Sequence, residues 1–216
     1  MKPIHTLLTV LAAMLLGLAS PLAQAQTTLA GYVTRLRGEV QTLVETKTQP
    51  LVVGNALYLG QRVSTGADAR LEARMTDGSV LTLGERTEFV IEQVAGSSAQ
   101  AADSNFSLLK GVLRAITGKL VSGQSPASWQ VRTPVASIGV RGTELWAGFD
   151  LLGAGSDTLD VVMLEGKGVY VKNSHGTIEL ARVGDGTTVK GVAASPAGLV
   201  PWGEAKLQAA QRSVSW

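Results

Sequence analysis

"RLEARMTDGSVLTL", residues 70–83, decides the fold class. Leu71, Ala73 and Met75 alternate with Arg70, Glu72, Arg74 and Thr76, and Asp77-Gly78-Ser79 then leads into a second alternating run. An apolar residue at every second position puts one face of an extended chain in a core and the other in water, and the Asp-Gly step reverses direction. The stretch is a half-buried β-hairpin.

Working outward, units of the same grammar recur at 32–44, 87–94, 106–121, 129–140, 159–173 and 176–183, most of them set apart by glycine, of which the chain has 25. Glycine turns a chain cheaply where a β-carbon would clash. Two rhythms echo one another: "VSTGADA" from 63 with "VRTPVAS" from 131, and "RTEFV" from 86 with "GTELW" from 142. Their separations differ, so they are a faint trace of stacked units and not a counted repeat. The expectation is an all-β body of short strands, coiled in a twisted, β-solenoid-like stack.

"AGSSAQAADSN", 95–105, has no apolar period and reads as a flexible surface loop. Near the C-terminus, Leu207, Ala210 and Val214 fall at helical spacing within 204–214, which predicts a short docking helix. The N-terminal stretch has Lys2, an apolar run from Leu7 to Leu18, Pro21 and Ala23-Gln24-Ala25, the pattern of a cleavable secretory signal. That run is shorter than the roughly 20 residues a membrane span needs. The expected organisation is a signal peptide at 1–25, a β domain at 26–196 with its core at 36–172, and a tail with a short helix at 197–216.

There is no cysteine, which removes disulfides, thiol nucleophiles and thiolate metal ligands. The 19 Lys+Arg and 17 Asp+Glu nearly balance and do not cluster, so nucleic acid and anionic membrane surfaces lose their electrostatic basis as partners. His175 lies in the turn sequence "NSHG", far from any nucleophile signature. Glu39, Glu72, Asp77, Glu144 and Glu165 read as the wet faces of strands more readily than as a glycosidase pair. Asp150, Asp157, Asp160 and Asp185 lack a calcium-loop spacing. No catalytic residue, cofactor or metal site is expected. Trp129, Trp146 and Trp202 read as core or docking residues.

The remaining motif is "TPVASIGVRGTELW", 133–146, an apolar strand run with one cation, Arg141, set between Gly139 and Gly142. It resembles the signature of the FecR-like domain, and "RGEV" at 37–40, "LYLGQRVSTGADARLEARMTDGSVLTL" at 57–83, "LLKGVLRAITG" at 108–118 and "VVMLEGKGVYV" at 161–171 resemble that family's other segments in order. The likeness covers roughly 36–172. It implies an all-β periplasmic domain that recognises proteins. FecR-type regulators also carry a cytoplasmic segment and a membrane span, which the signal-like start of this chain replaces. The resemblance therefore points to a free-standing, exported form acting as a protein-interaction module of the cell envelope, in envelope or iron-related signalling. The alternative is a module that binds peptidoglycan or another polysaccharide.

Arg141, Thr143 and Thr133 are the candidate binding residues. Arg141 offers five donors, and its expected role is a corner clamp onto carbonyls or onto Glu144 or Glu165, because a cation in an apolar run is costly to bury unpaired. Thr143 and Thr133 are expected to add hydrogen bonds to that corner. The same groups turned outward would meet a partner's carboxylate or a glycan.

Overall fold

A computed structural model describes residues 28–44, 47–117 and 127–216, so the expected signal peptide lies outside the described residues. Among the described residues, eighteen strands, numbered along the chain, form two open sheets. Across the first sheet the order is β18 (Val200–Pro201), β17 (Asp185–Lys190), β14 (Thr158–Gly166), β13 (Thr143–Phe149), β10 (Val112–Ile116), β7 (Val80–Leu83), β6 (Arg70–Met75), β1 (Leu29–Arg37) and β4 (Ala56–Tyr58). Across the second it is β16 (Gly176–Leu180), β15 (Val169–Asn173), β12 (Ser137–Val140), β11 (Trp129–Arg132), β9 (Ser104–Lys110), β8 (Glu88–Gln93), β5 (Arg62–Thr65), β2 (Val40–Val44) and β3 (Lys47–Pro50).

The all-β class holds, with one short helix near the C-terminus. Apart from β4 and β3 at one end, strands enter each sheet in chain order, and the chain passes back and forth between the two. The unit of growth is the antiparallel hairpin; β9 and β11 alone among the described strand pairs run parallel. The strands thus form two open sheets that lengthen side by side, not closed into a barrel.

Several runs that read as single strands break at a glycine and change sheets. The run 106–121 divides at Gly111 into β9 and β10, and 159–173 divides at Gly166 into β14 and β15. Both glycines have positive φ, 82° and 111°. A β-carbon on Gly111 would stand 2.4 Å from Thr87, and one on Gly166 would stand 2.4 Å from the Gly142 carbonyl. These crossings need glycine for conformation and for space at once.

Alternate residues of both sheets point into the shared core, as residues 70–83 predict. Leu71, Leu83 and Leu113 of the first sheet and Phe89, Phe106 and Val131 of the second are each at most 2% exposed. Phe89 stacks on Phe106 at 5.5 Å and Phe106 meets Trp129 at 5.2 Å, an aromatic file along the second sheet. The turn in "TDGS" is tied into this core. Buried Asp77 accepts the Ser79 N–H (2.8 Å) and the Ser104 hydroxyl (2.6 Å), while Trp129 Nε1–H donates to the Ser79 hydroxyl at 3.1 Å. The stretch 95–105 is therefore anchored at both ends, with Ala95 and Ser104 fully buried and joined by a 3.0 Å hydrogen bond.

Helix α1 (Glu204–Val214) covers part of the outer face of the first sheet with the expected stripe; Ala210 and Val214 are buried and Leu207 packs at the margin. Trp146 meets Trp202 edge-on at 5.9 Å and donates Nε1–H to the Ser213 hydroxyl at 2.9 Å. Lys206 reaches buried Asp160 at 2.6 Å and lies 4.2 Å over the Trp202 ring. Trp129, Trp146 and Trp202 are all at most 8% exposed, so none is a ligand platform.

Candidate functional site

The 133–146 stretch forms the turn of hairpin β11–β12, then β12 itself, and crosses into β13. Thr133 shapes the hairpin turn: its hydroxyl donates to the Ala136 carbonyl (2.8 Å) and accepts the N–H groups of Ala136 (3.0 Å) and Val135 (3.3 Å). Pro134 sits in that turn, where no ladder donor is missed.

Thr143 holds the crossing. It is 2% exposed. Its hydroxyl proton faces the carbonyls of Arg141 (2.9 Å) and Gly168 (3.0 Å), and its lone pairs face the N–H groups of Gly168 (3.2 Å) and Lys167 (3.3 Å). Its backbone is clasped by Thr117, which accepts the Thr143 N–H at 2.8 Å and donates to the Thr143 carbonyl at 2.9 Å. The two threonine side chains together tie the ends of β10, β12, β13 and β14.

The sequence echo at "RTEFV" is the same device. Thr87 follows a left-handed residue, Arg86 (φ 50°), as Thr143 follows Gly142 (φ 56°). The Thr87 hydroxyl contacts the Glu85 and Val112 carbonyls (3.3 and 3.2 Å) and accepts the Val112 N–H (2.9 Å). Thr65 accepts the Thr87 N–H at 2.8 Å, as Thr117 does for Thr143. The threonine clasp is thus built twice, once at each end of β10.

Arg141 takes a different place from the expected clamp. Its backbone N–H donates to the Gly168 carbonyl at 3.1 Å, but its side chain is exposed and enters no ion pair among the described residues. Glu144 is engaged by Arg114, at 2.9 Å from Nε and 2.8 Å from Nη2. The threonine hydroxyl is short enough to satisfy a buried corner without a charge, so the guanidinium is left to solvent. Beside it on the second sheet, Gln130, Gly139, Tyr170 and Glu179 stand in one cross-strand row. A β-carbon on Gly139 would touch nothing within 4 Å. The Tyr170 hydroxyl donates to Glu179, which raises its pKa, with the negative charge and a little desolvation acting the same way and Arg141 opposing.

A groove of about 700 Å³ lies between α1 and the first sheet, lined by Trp146, Leu164, Leu207, Val214 and Trp216 among others. The sequence marks Trp146 and the helix stripe but not the space between them.

His175 is exposed at the β15–β16 turn, its N–H bonded to Asn173 Oδ1 at 2.9 Å. Asp160 is occupied by Lys206, and Asp185 accepts the Arg182 N–H at 3.0 Å. Among the described residues no three metal-ligating side chains converge, and no helix is long and apolar enough to cross a membrane.

The molecule is an all-β domain of two hairpin-built sheets with clasped crossings. Residues 61–167 match the family model described as FecR protein. Those residues carry a FecR domain. A comparison with curated proteins gives no match. Among solved structures, a proposed anti-sigma factor from Parabacteroides distasonis ATCC 8503, determined at 1.65 Å, is similar with a TM-score of 0.50 and 15% identity, over 63% of this chain and 57% of that one. A second crystal structure under the same description, at 2.50 Å, gives a TM-score of 0.49 at the same identity and coverage. The chain spans little more than half of that protein, and the likeness establishes a shared fold.

Proposed function

We propose that this protein is an exported, non-enzymatic regulatory module that works in the periplasm by binding another envelope protein, with the Arg141 corner as its contact. The observation that carries this reading is the signature loop itself. Inside, the Thr143 hydroxyl pins the backbone through four polar contacts; outside, Arg141 is held up to solvent on that rigid base. An arginine carried on a fixed backbone is a favourable anchor for a carboxylate on a partner, because its planar fork offers two parallel hydrogen bonds and little loop entropy is lost on contact. The FecR match and the fold shared with a proposed anti-sigma factor support a regulatory role.

The test is photocrosslinking in intact cells from position 141 and, as a control, from Thr177. A discrete adduct with an envelope protein from 141, absent from 177 and reproduced by co-purification that Arg141→Ala abolishes, is the expected result. Adducts of equal yield from both positions refute the assignment. Fractionation with N-terminal sequencing checks export.

A second reading, a glycan-binding module, is favoured by the row Gln130, Gly139, Tyr170 and Glu179, which sets a tyrosine 37% exposed beside an open glycine floor. Sedimentation with purified sacculi separates the readings: co-pelleting that Tyr170→Ala removes favours the glycan.

A further inference from the structure

Arg37, the last residue of β1, and Arg70, the first of β6, stand directly opposite one another. The register Leu71–Leu83–Leu113–Ala147 across four strands puts them at the far end of β13 from Arg141. Arg70 is 7% exposed. Its Nη1–H donates to the Ala69 carbonyl at 2.8 Å, and its Nε–H is buried with no acceptor. Arg37, exposed, donates Nε–H to the Asp68 carbonyl at 3.3 Å. Neither guanidinium is in an ion pair among the described residues.

Of the two acids nearby, Asp68 and Glu85, the second is engaged elsewhere. Glu85 gives one oxygen to Arg86 (3.3 Å) and the other to the Asp68 N–H (2.9 Å). Asp68 and Arg86, which flank the pair, are both non-glycine residues in the left-handed region, at φ 54° and 50°. Such positions are held only where surrounding structure enforces them, and they gather at binding sites. Burial, and after it the Arg37 charge, lowers the Arg70 pKa from its ordinary value, against the smaller opposing influence of Glu85 and Asp68. Like charges directly opposite on adjacent strands are destabilising, and a buried charged donor without an acceptor is more so. The arrangement is short of one anion.

We propose that the Arg37–Arg70 pair is a binding site for a carboxylate, seated between the two guanidiniums and accepting the Arg70 Nε–H. A carboxylate is planar and matches the flat edge of a guanidinium with two parallel hydrogen bonds. Arg37 is the side chain that swings to admit it, since one long hydrogen bond is all that holds it. The site is separate from the Arg141 corner and does not depend on the function proposed for that corner. A small free acid and an acidic side chain of a polypeptide offer the same group.

The test uses the full mature chain and the arginine Nε–H signals of a ¹H–¹⁵N spectrum, with Arg70 assigned by its loss in Arg70→Lys. Sodium acetate is titrated against sodium chloride at equal ionic strength. The expected result is a saturable shift of the Arg70 signal with acetate alone, with half-saturation moved at least about tenfold higher in Arg37→Gln, the loss of one charge-assisted contact. Arg37 is exposed, so that variant folds. A pentaglutamate peptide distinguishes the sources: saturation at much lower concentration than acetate points to a polypeptide, and saturation no tighter than acetate points to a small acid. A signal that moves equally with chloride, or a half-saturation unchanged in Arg37→Gln, overturns the site.

Discussion

Replacing Thr143 with valine keeps the shape of the side chain and removes its hydroxyl. In the folded protein that hydroxyl accepts the Gly168 and Lys167 N–H groups and donates to one of two carbonyls. Lys167 is exposed and recovers water, whereas the Gly168 N–H lies in a buried hydrogen bond and is left without a partner. Leaving a buried donor unsatisfied costs about 1–3 kcal/mol, and losing the bonds to carbonyls adds about 1 more. Thr143→Val should therefore lose roughly 2–4 kcal/mol, about 4–16 °C in Tm for a chain of this size. Thr143→Ser keeps the hydroxyl and loses one buried methyl, about 1 kcal/mol. Urea denaturation followed by circular dichroism measures both, with Thr177→Val on an exposed strand as control. If Thr143→Val unfolds within about 0.5 kcal/mol of the parent, or Thr143→Ser is as damaging as valine, the clasp does not hold the crossing.

Arg141→Ala should leave the denaturation midpoint within about 0.5 kcal/mol of the parent, because the side chain is exposed and unpaired among the described residues; a larger loss would restore the clamp role. Gly111→Ala combines left-handed strain with a 2.4 Å clash against Thr87 and should cost about 3 kcal/mol or more, whereas Gly54→Ala, at φ 89° in open space, should cost about 1–2 kcal/mol. Lys206→Met leaves Asp160 buried with only Thr188 as a described polar side-chain partner and should destabilise by about 3–5 kcal/mol, with a change in tryptophan fluorescence as Trp202 loses its neighbour. Tyr170 should ionise above the ordinary tyrosine range in an ultraviolet titration, since its neutral hydroxyl donates to the Glu179 carboxylate, and Glu179→Gln should bring it back down.

Strand grammar was readable wherever one face is wet. Residues 71–75 alternate because β6 shows one side to the core, and the 204–214 stripe is the face that α1 lays on the first sheet. Crossings were harder. Around Gly111 and Gly166 both halves of each run are strand, so hydrophobic pattern alone cannot tell a continuous strand from one that changes sheets; the positive φ and the contact with a threonine backbone are three-dimensional facts. The same limit explains Arg141. Its sequence setting is apolar, yet the backbone bend at Gly142 turns it outward, and the clamp falls to Thr143, whose hydroxyl looks like that of any strand threonine. The echo of "RTEFV" with "GTELW" was a true sign of the duplicated clasp, blurred because only the threonine and its left-handed predecessor must match. The Arg37–Arg70 pair was invisible, since it joins residues 33 positions apart through register alone.

Growth by hairpins in chain order has a consequence for how such proteins vary. The family match begins at Gln61, just before β5, and stops at Lys167, just past β14, so its limits fall between rungs and not within them. Each rung leans chiefly on its immediate predecessors, so whole hairpins can be gained or shed at either end while the middle keeps its packing. The length of the molecule, and so how far it reaches, can thereby change by accretion without redesigning the part packed around the phenylalanine file.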